Sequence, residues 1–138
     1  MAITDQYRRQ HSDLLNIAHQ IAAELNPARL SNDATTVRSL LSTLAGKLSI
    51  HLAMEDKSLY PKLMQNSNPD VKATAKKFID EMGGIAKAFD NYKNKWPHAM
   101  AIQKNPNDFI SETKTLFNVL SKRIEKENKE LYPLLERE

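Results

Sequence analysis

Two stretches of this chain carry the same polar signature. Residues 51–63 read HLAMEDKSLYPKL and residues 123–135 read RIEKENKELYPLL. With Pro61 set against Pro133, Glu55 falls on Glu127, Leu59 on Leu131, Tyr60 on Tyr132 and His51 on Arg123. Residues four apart on a helix lie about one turn apart on one face, so His51 and Glu55 present an imidazole and a carboxylate at metal-ligand spacing. The second copy keeps the carboxylate and puts a cation where the imidazole should be. Arginine stays protonated in proteins and cannot ligate a metal, but its planar fork pairs with carboxylates. The motif therefore reads two ways: a metal site, or a salt-bridge layer with Arg123 between Glu55 and Glu127.

The elements that must position these groups are helices. Apolar residues recur at helical period in four segments separated by Asn- and Pro-rich breaks. The first runs from about Thr4 to Leu25, with a stripe of Tyr7, Leu14, Leu15, Ala18, Ala22 and Leu25, and His11 lies on it. The second starts near Asn32-Asp33 and runs to about Gln65, with Pro61 expected to kink it. Its stripe ends in Leu48, His51, Glu55 and Leu59. The third opens with the cap Asn68-Pro69 and follows a seam from Val71 through Phe78, Met82 and Phe89 to Trp96. Gly83-Gly84 sits inside it and predicts close helix approach or a local weakness. Residues 97–105 read as a loop or a short helical turn. The fourth starts near Asn105-Pro106 and ends near Leu135, with Leu116, Leu120, Arg123, Glu127 and Leu131 on its stripe. No segment alternates with strand period.

Four long helices with short connections predict an all-α, up-down-up-down four-helix bundle over a single domain, residues 1–138. In that topology helices two and four run parallel, so the two copies of the motif face each other at one depth. Residue counting then brings His11, His51, Glu55, Met82, Arg123 and Glu127 to one layer of the core. Each also has a plain reading. A buried carboxylate needs a partner or a metal, while His11 and His51 equally suit core histidines with hydrogen-bond partners. Met82 reads as packing, because a thioether ligand beside two carboxylates is foreign to hard metal sites. His19 and His98 fall outside the layer. Tyr60 and Tyr132 read as caps on the end of the core, and the charges of residues 125–130 other than Glu127 as a solvated face.

Composition removes several classes of function. There is no cysteine, hence no disulfide, thiolate metal site or cysteine nucleophile. The net charge of +3 is spread without a basic tract, which predicts no nucleic-acid partner. No apolar run is long enough for a bilayer, and the polar opening MAITDQYRRQHSD is unlike a signal peptide, so the expected setting is cytoplasmic with no membrane partner.

The paired motifs, each followed by Leu-Tyr-Pro (59–61 and 131–133), resemble the hemerythrin-like, or HHE cation-binding, family across nearly the whole chain. The resemblance implies a four-helix bundle around a two-iron centre, with one His on helix one, His-x-x-x-Glu on helix two, one His on helix three and His-x-x-x-Glu on helix four. Carried over, His11 matches the first ligand, His51 and Glu55 the next pair, and Glu127 the last carboxylate. Met82 and Arg123 stand where histidines belong. The leading expectation is a binding, regulatory or sensor module with an incomplete site and no cofactor, its partner a protein or a second copy, and with no catalytic residue. The alternative is one divalent ion, iron, manganese or zinc, on His11, His51, Glu55 and Glu127, serving oxygen, redox or iron-related sensing. That alternative expects Arg123 to point away. An enzymatic role would have to come through the metal.

Overall fold

A computed structural model describes residues 4–136, with the side chain of Met82 outside the description. The chain runs α1 (Asp5–Ala22), α2 (Pro27–Asn32), α3 (Thr35–Met54), a π turn (Glu55–Leu59), α4 (Tyr60–Met64), α5 (Pro69–Met82), α6 (Ile85–Lys95), α7 (Ala99–Lys104), α8 (Pro106–Lys126), a second π turn (Glu127–Leu131) and α9 (Tyr132–Glu136). Among the described residues there is no strand, and no helix is long and apolar enough to cross a membrane.

The four expected rods are present. α1 packs on α3 and α8, and α6 packs on α3 and α8. Neighbours run antiparallel: Tyr7, early in α1, meets His51, late in α3, and Tyr92, late in α6, meets Thr113, early in α8. His11, in the first half of α1, meets Asn128, just past the end of α8, so α1 runs antiparallel to α8 as well, and α3 and α8 run parallel. Asn26 caps α2 by accepting from the Arg29 N–H, and Asn68 caps α5 by accepting from the Asp70 N–H, each ahead of a proline that needs no donor partner.

Three local readings are corrected. The segment after Asn26-Pro27 is a helix, α2, and not a plain break; its Leu30 is buried against the core. The α1 stripe runs through Ile17 and Ile21, and Ala22 is exposed, because the true face is one residue out of phase toward the end of the helix. The third rod is interrupted: α5 ends at Met82 and α6 begins at Ile85. At Gly83 a Cβ would lie 2.5 Å from the Ile79 carbonyl oxygen, so this connection requires glycine. The seam survives the interruption. Val71, Ala75, Phe78, Ile85, Phe89, Tyr92 and Trp96 are all buried.

The two π turns answer the two prolines. Proline has no N–H and its ring crowds the preceding turn. In each copy the chain widens one turn before the proline, and the tyrosine N–H bonds the glutamate carbonyl five residues back: Tyr60 to Glu55, and Tyr132 to Glu127. The expected kink at Pro61 is thus a π turn followed by resumed helix. Wide turns of this kind concentrate at functional sites. The interior is divided accordingly. A large apolar cluster including Leu14, Leu48, Phe89 and Leu120 fills one end. A smaller one including Tyr7, Leu59, Phe78 and Leu131 fills the other. Between them lies a polar layer.

Candidate cation site

The polar layer is built by α1, the end of α3, the end of α8 and the two π turns. His11, His51, Glu55, Arg123 and Glu127 are all buried in it, none more than 5% exposed. Charge at such depth persists only when paired and hydrogen-bonded.

Each imidazole is oriented from behind. His11 Nδ1 lies 2.8 Å from Asn128 Oδ1, and His51 Nδ1 lies 2.6 Å from Gln10 Oε1. An amide oxygen only accepts, so both Nδ1 atoms carry a hydrogen and both Nε2 atoms face the layer. His11 Nε2 is 3.0 Å from Glu127 Oε1 and 3.1 Å from the Tyr132 hydroxyl. His51 Nε2 is 3.4 Å from Glu55 Oε1, outside hydrogen-bond geometry, and is left as a buried nitrogen with no hydrogen-bond partner. The Nε2 atoms of His11 and His51 and one oxygen each from Glu55 and Glu127 lie within 4.8 Å of one another. Fixing the remote ring nitrogen with an oxygen acceptor is how proteins set the tautomer of metal-binding histidines.

Arg123 points inward. Its Nη2 donates to Glu55 Oε1 at 3.1 Å and its Nε to Glu127 Oε2 at 3.4 Å. The guanidinium thus bridges the two carboxylates, as one of the two sequence readings required. The tyrosines then cross between the copies. Tyr132 O–H donates to Glu55 Oε2 at 2.6 Å, and Tyr60 O–H donates to Glu127 Oε2 at 2.9 Å. Their assignment as mere caps on the core is corrected: the rings close the apolar cluster while the hydroxyls hold the carboxylates. Tyr132 also stacks on His11 with ring centroids 5.2 Å apart. Asn128, which the sequence reading did not single out, is half-buried and orients His11. Gln10 escaped the sequence reading as well; its position beside His11 was the available signal. His19 and His98 are exposed and outside the layer. Met82 ends α5, and its side chain lies outside the described residues.

Burial disfavours charge on both carboxyls, but they respond differently. For Glu55, the His51 ring and the Arg123 guanidinium outweigh burial and hold the group down at about 2. For Glu127, burial and the charge of Glu55 prevail and push it up to about 8. The two share one ionisation, as close carboxyl pairs do. Burial lowers His11 against the opposing pull of Asn128 and Glu55. The Arg123 guanidinium then balances the carboxylate that stays ionised, Glu55.

The crossed hydroxyls should be measurable in stability. Changing Tyr132→Phe or Tyr60→Phe keeps the ring and strips a buried carboxyl of a donor, a loss of about 1–3 kcal/mol each. Chemical denaturation of the two variants reads this out; changes within about 0.5 kcal/mol, the level of neutral surface substitutions, would show that the hydroxyls do not hold the carboxyls.

A family model, the hemerythrin HHE cation binding domain, matches residues 2–135. Comparisons with curated proteins and with solved structures gave no match.

Proposed function

Since the chain belongs to the hemerythrin HHE cation-binding domain family, we propose that it is a bundle reduced to one cation site, with Arg123 standing for the other positive charge. His11, His51, Glu55 and Glu127 would hold one divalent ion. The observation that carries this reading is the pair of back-anchored histidines. Both Nε2 atoms face the two carboxylates, and that of His51 has no hydrogen-bond partner. Two nitrogen and two oxygen donors suit zinc, manganese or iron.

A two-ion centre does not fit. Arginine offers no lone pair, and its contacts consume acceptor capacity on both glutamates. The inward Arg123 departs from the expectation that a single ion needs it turned away. It reaches Glu127 through Oε2, while the oxygen nearest His11 is Oε1. Each carboxylate oxygen also has more than one acceptor direction. Bound there, a divalent ion would supply Lewis acidity and, if iron or manganese, redox capacity. The chain's own residues do the rest. Gln10 and Asn128 orient the rings, Tyr60 and Tyr132 steady the carboxyls, Arg123 balances charge, and the apolar clusters on either side exclude water. Glu127 gives up its proton when the site fills.

The double contact of Arg123 favours a second reading, a metal-free binding or regulatory module with Arg123 in the ion's place. Elemental analysis separates the two. Protein purified without chelator and exposed to iron(II), manganese(II) and zinc(II) should retain close to one ion per chain, and His51→Ala should lose it while keeping its helical spectrum. No retained metal in the folded protein would overturn the one-cation reading in favour of the metal-free module. Close to two ions would overturn the role given to Arg123.

A further inference from the structure

A groove of about 540 Å³ runs between α3 and α6, and no side chain of the cation site lines it. Its floor is Leu48, Leu52 and Phe89, and the α3 wall is made of small residues, Ser42, Ala45, Gly46, Ser49 and Ala53. From Arg38 to Asp56 it spans 18 residues of helix, about 27 Å at the helical rise. The two ends differ in sign. Arg38 on α3 and Lys93 near the end of α6 make one end basic. Asp56 makes the other acidic, and Asp90 lies on α6 one turn before Lys93. None of these four takes part in an ion pair among the described residues. Arg38 donates from Nη1 to Ser42, yet its Nε is buried with no hydrogen-bond partner.

We infer that this groove is the interface of a two-fold dimer of the chain, with α3 of each copy seated antiparallel in the α3–α6 groove of the other. The charge pattern selects the occupant. A surface that is basic at one end and acidic at the other is complementary to itself when turned by a two-fold axis across its middle. Here that axis passes near Lys47, midway between Arg38 and Asp56 in sequence. Arg38 then faces Asp56 of the partner subunit, and the same contact repeats at the far end. The small α3 wall lets two backbones approach closely, and a helix ridge entering a groove between helices is the ordinary way helices pack. The unpaired Arg38 Nε gains an acceptor, and charges that now stand alone become paired.

The inference is independent of whether the polar layer holds a metal. Sedimentation velocity on the whole chain, over a wide concentration range at low salt, is the test. The expected result is a reversible species of twice the 15.7 kDa chain mass. Arg38→Glu alone and Asp56→Arg alone should each weaken association at least tenfold, and the two changes together should restore it. Gly46→Gln supplies a separate arm. An added Cβ there meets nothing within 4 Å in the monomer, so the fold tolerates it while close approach is blocked and the dimer is lost. A chain that is monomeric at every concentration overturns the inference. So does a dimer that is indifferent to these changes, or one that the paired reversal fails to restore.

Discussion

Arg123→Leu destabilises the metal-free protein by about 3–5 kcal/mol, the range for removing one partner of a buried ion pair. The reason lies in what remains. Glu55 and Glu127 are both essentially fully buried, and among the described residues Arg123 is the one cationic side chain bonded to both. Leucine fills much of the same space and would suit the apolar neighbours, so packing loss is a minor part of the effect. The large part is an uncompensated carboxylate. Glu127 already carries the shared proton, and Glu55 is held ionised by its partners, so removal of the guanidinium forces either a charge into a dry interior or a second proton onto the pair. Denaturant unfolding of chelator-treated protein measures the loss. A change within about 0.5 kcal/mol, as for a surface substitution, would mean that the guanidinium does not neutralise the layer.

The second large effect runs the other way. On the one-cation reading, histidine at both positions, Met82→His with Arg123→His, should raise metal capacity from one ion per chain to two. Position 123 already places its side chain between the two carboxylates. Position 82 ends α5 on a seam whose described members are all buried. The double change removes the competing cation and adds two neutral nitrogen donors, which turns a four-donor set into six. Elemental analysis after iron(II) or zinc(II) loading reads the stoichiometry, and the single variants show whether both donors are needed. A folded double variant holding no more metal than its parent would sink the claim that helix three reaches this layer.

Much of this site was readable in the chain. Periodicity gave the rods, and the four-residue spacings placed His51 with Glu55 and Arg123 with Glu127. Counting along an up-down topology brought His11 to the same depth, and the seam from Val71 to Trp96 held residue by residue wherever it is described. The rest was hidden for a physical reason. On a regular helix a five-residue step turns about 500°, which carries Tyr60 off the face of Glu55 and Tyr132 off that of Glu127. Only the π turns bring each tyrosine back toward the layer, and helical periodicity assumes that no such turn occurs. The orienting amides were hidden differently. Gln10 and Asn128 are polar residues adjacent to the stripe, and nothing in their type distinguishes them from solvated neighbours until the rings they hold have been located.

The crossing of Tyr60 and Tyr132 bears on how this chain can be divided. Tyr60 serves the glutamate of the later copy, and Tyr132 serves that of the earlier one. Each buried acid takes its tyrosine donor from the other half, so neither half is a self-sufficient folding unit even though each repeats the other's motif. Fragments cut in the connection between α4 and α5 should be poorly ordered alone and assemble when mixed. Arg123, which stands opposite His51 in the repeat, is likewise felt by both copies, because the acid nearest to it belongs to the other half. The two repeats are unequal in composition yet bound to each other, and a change in either half disturbs the protonation of its counterpart's acid.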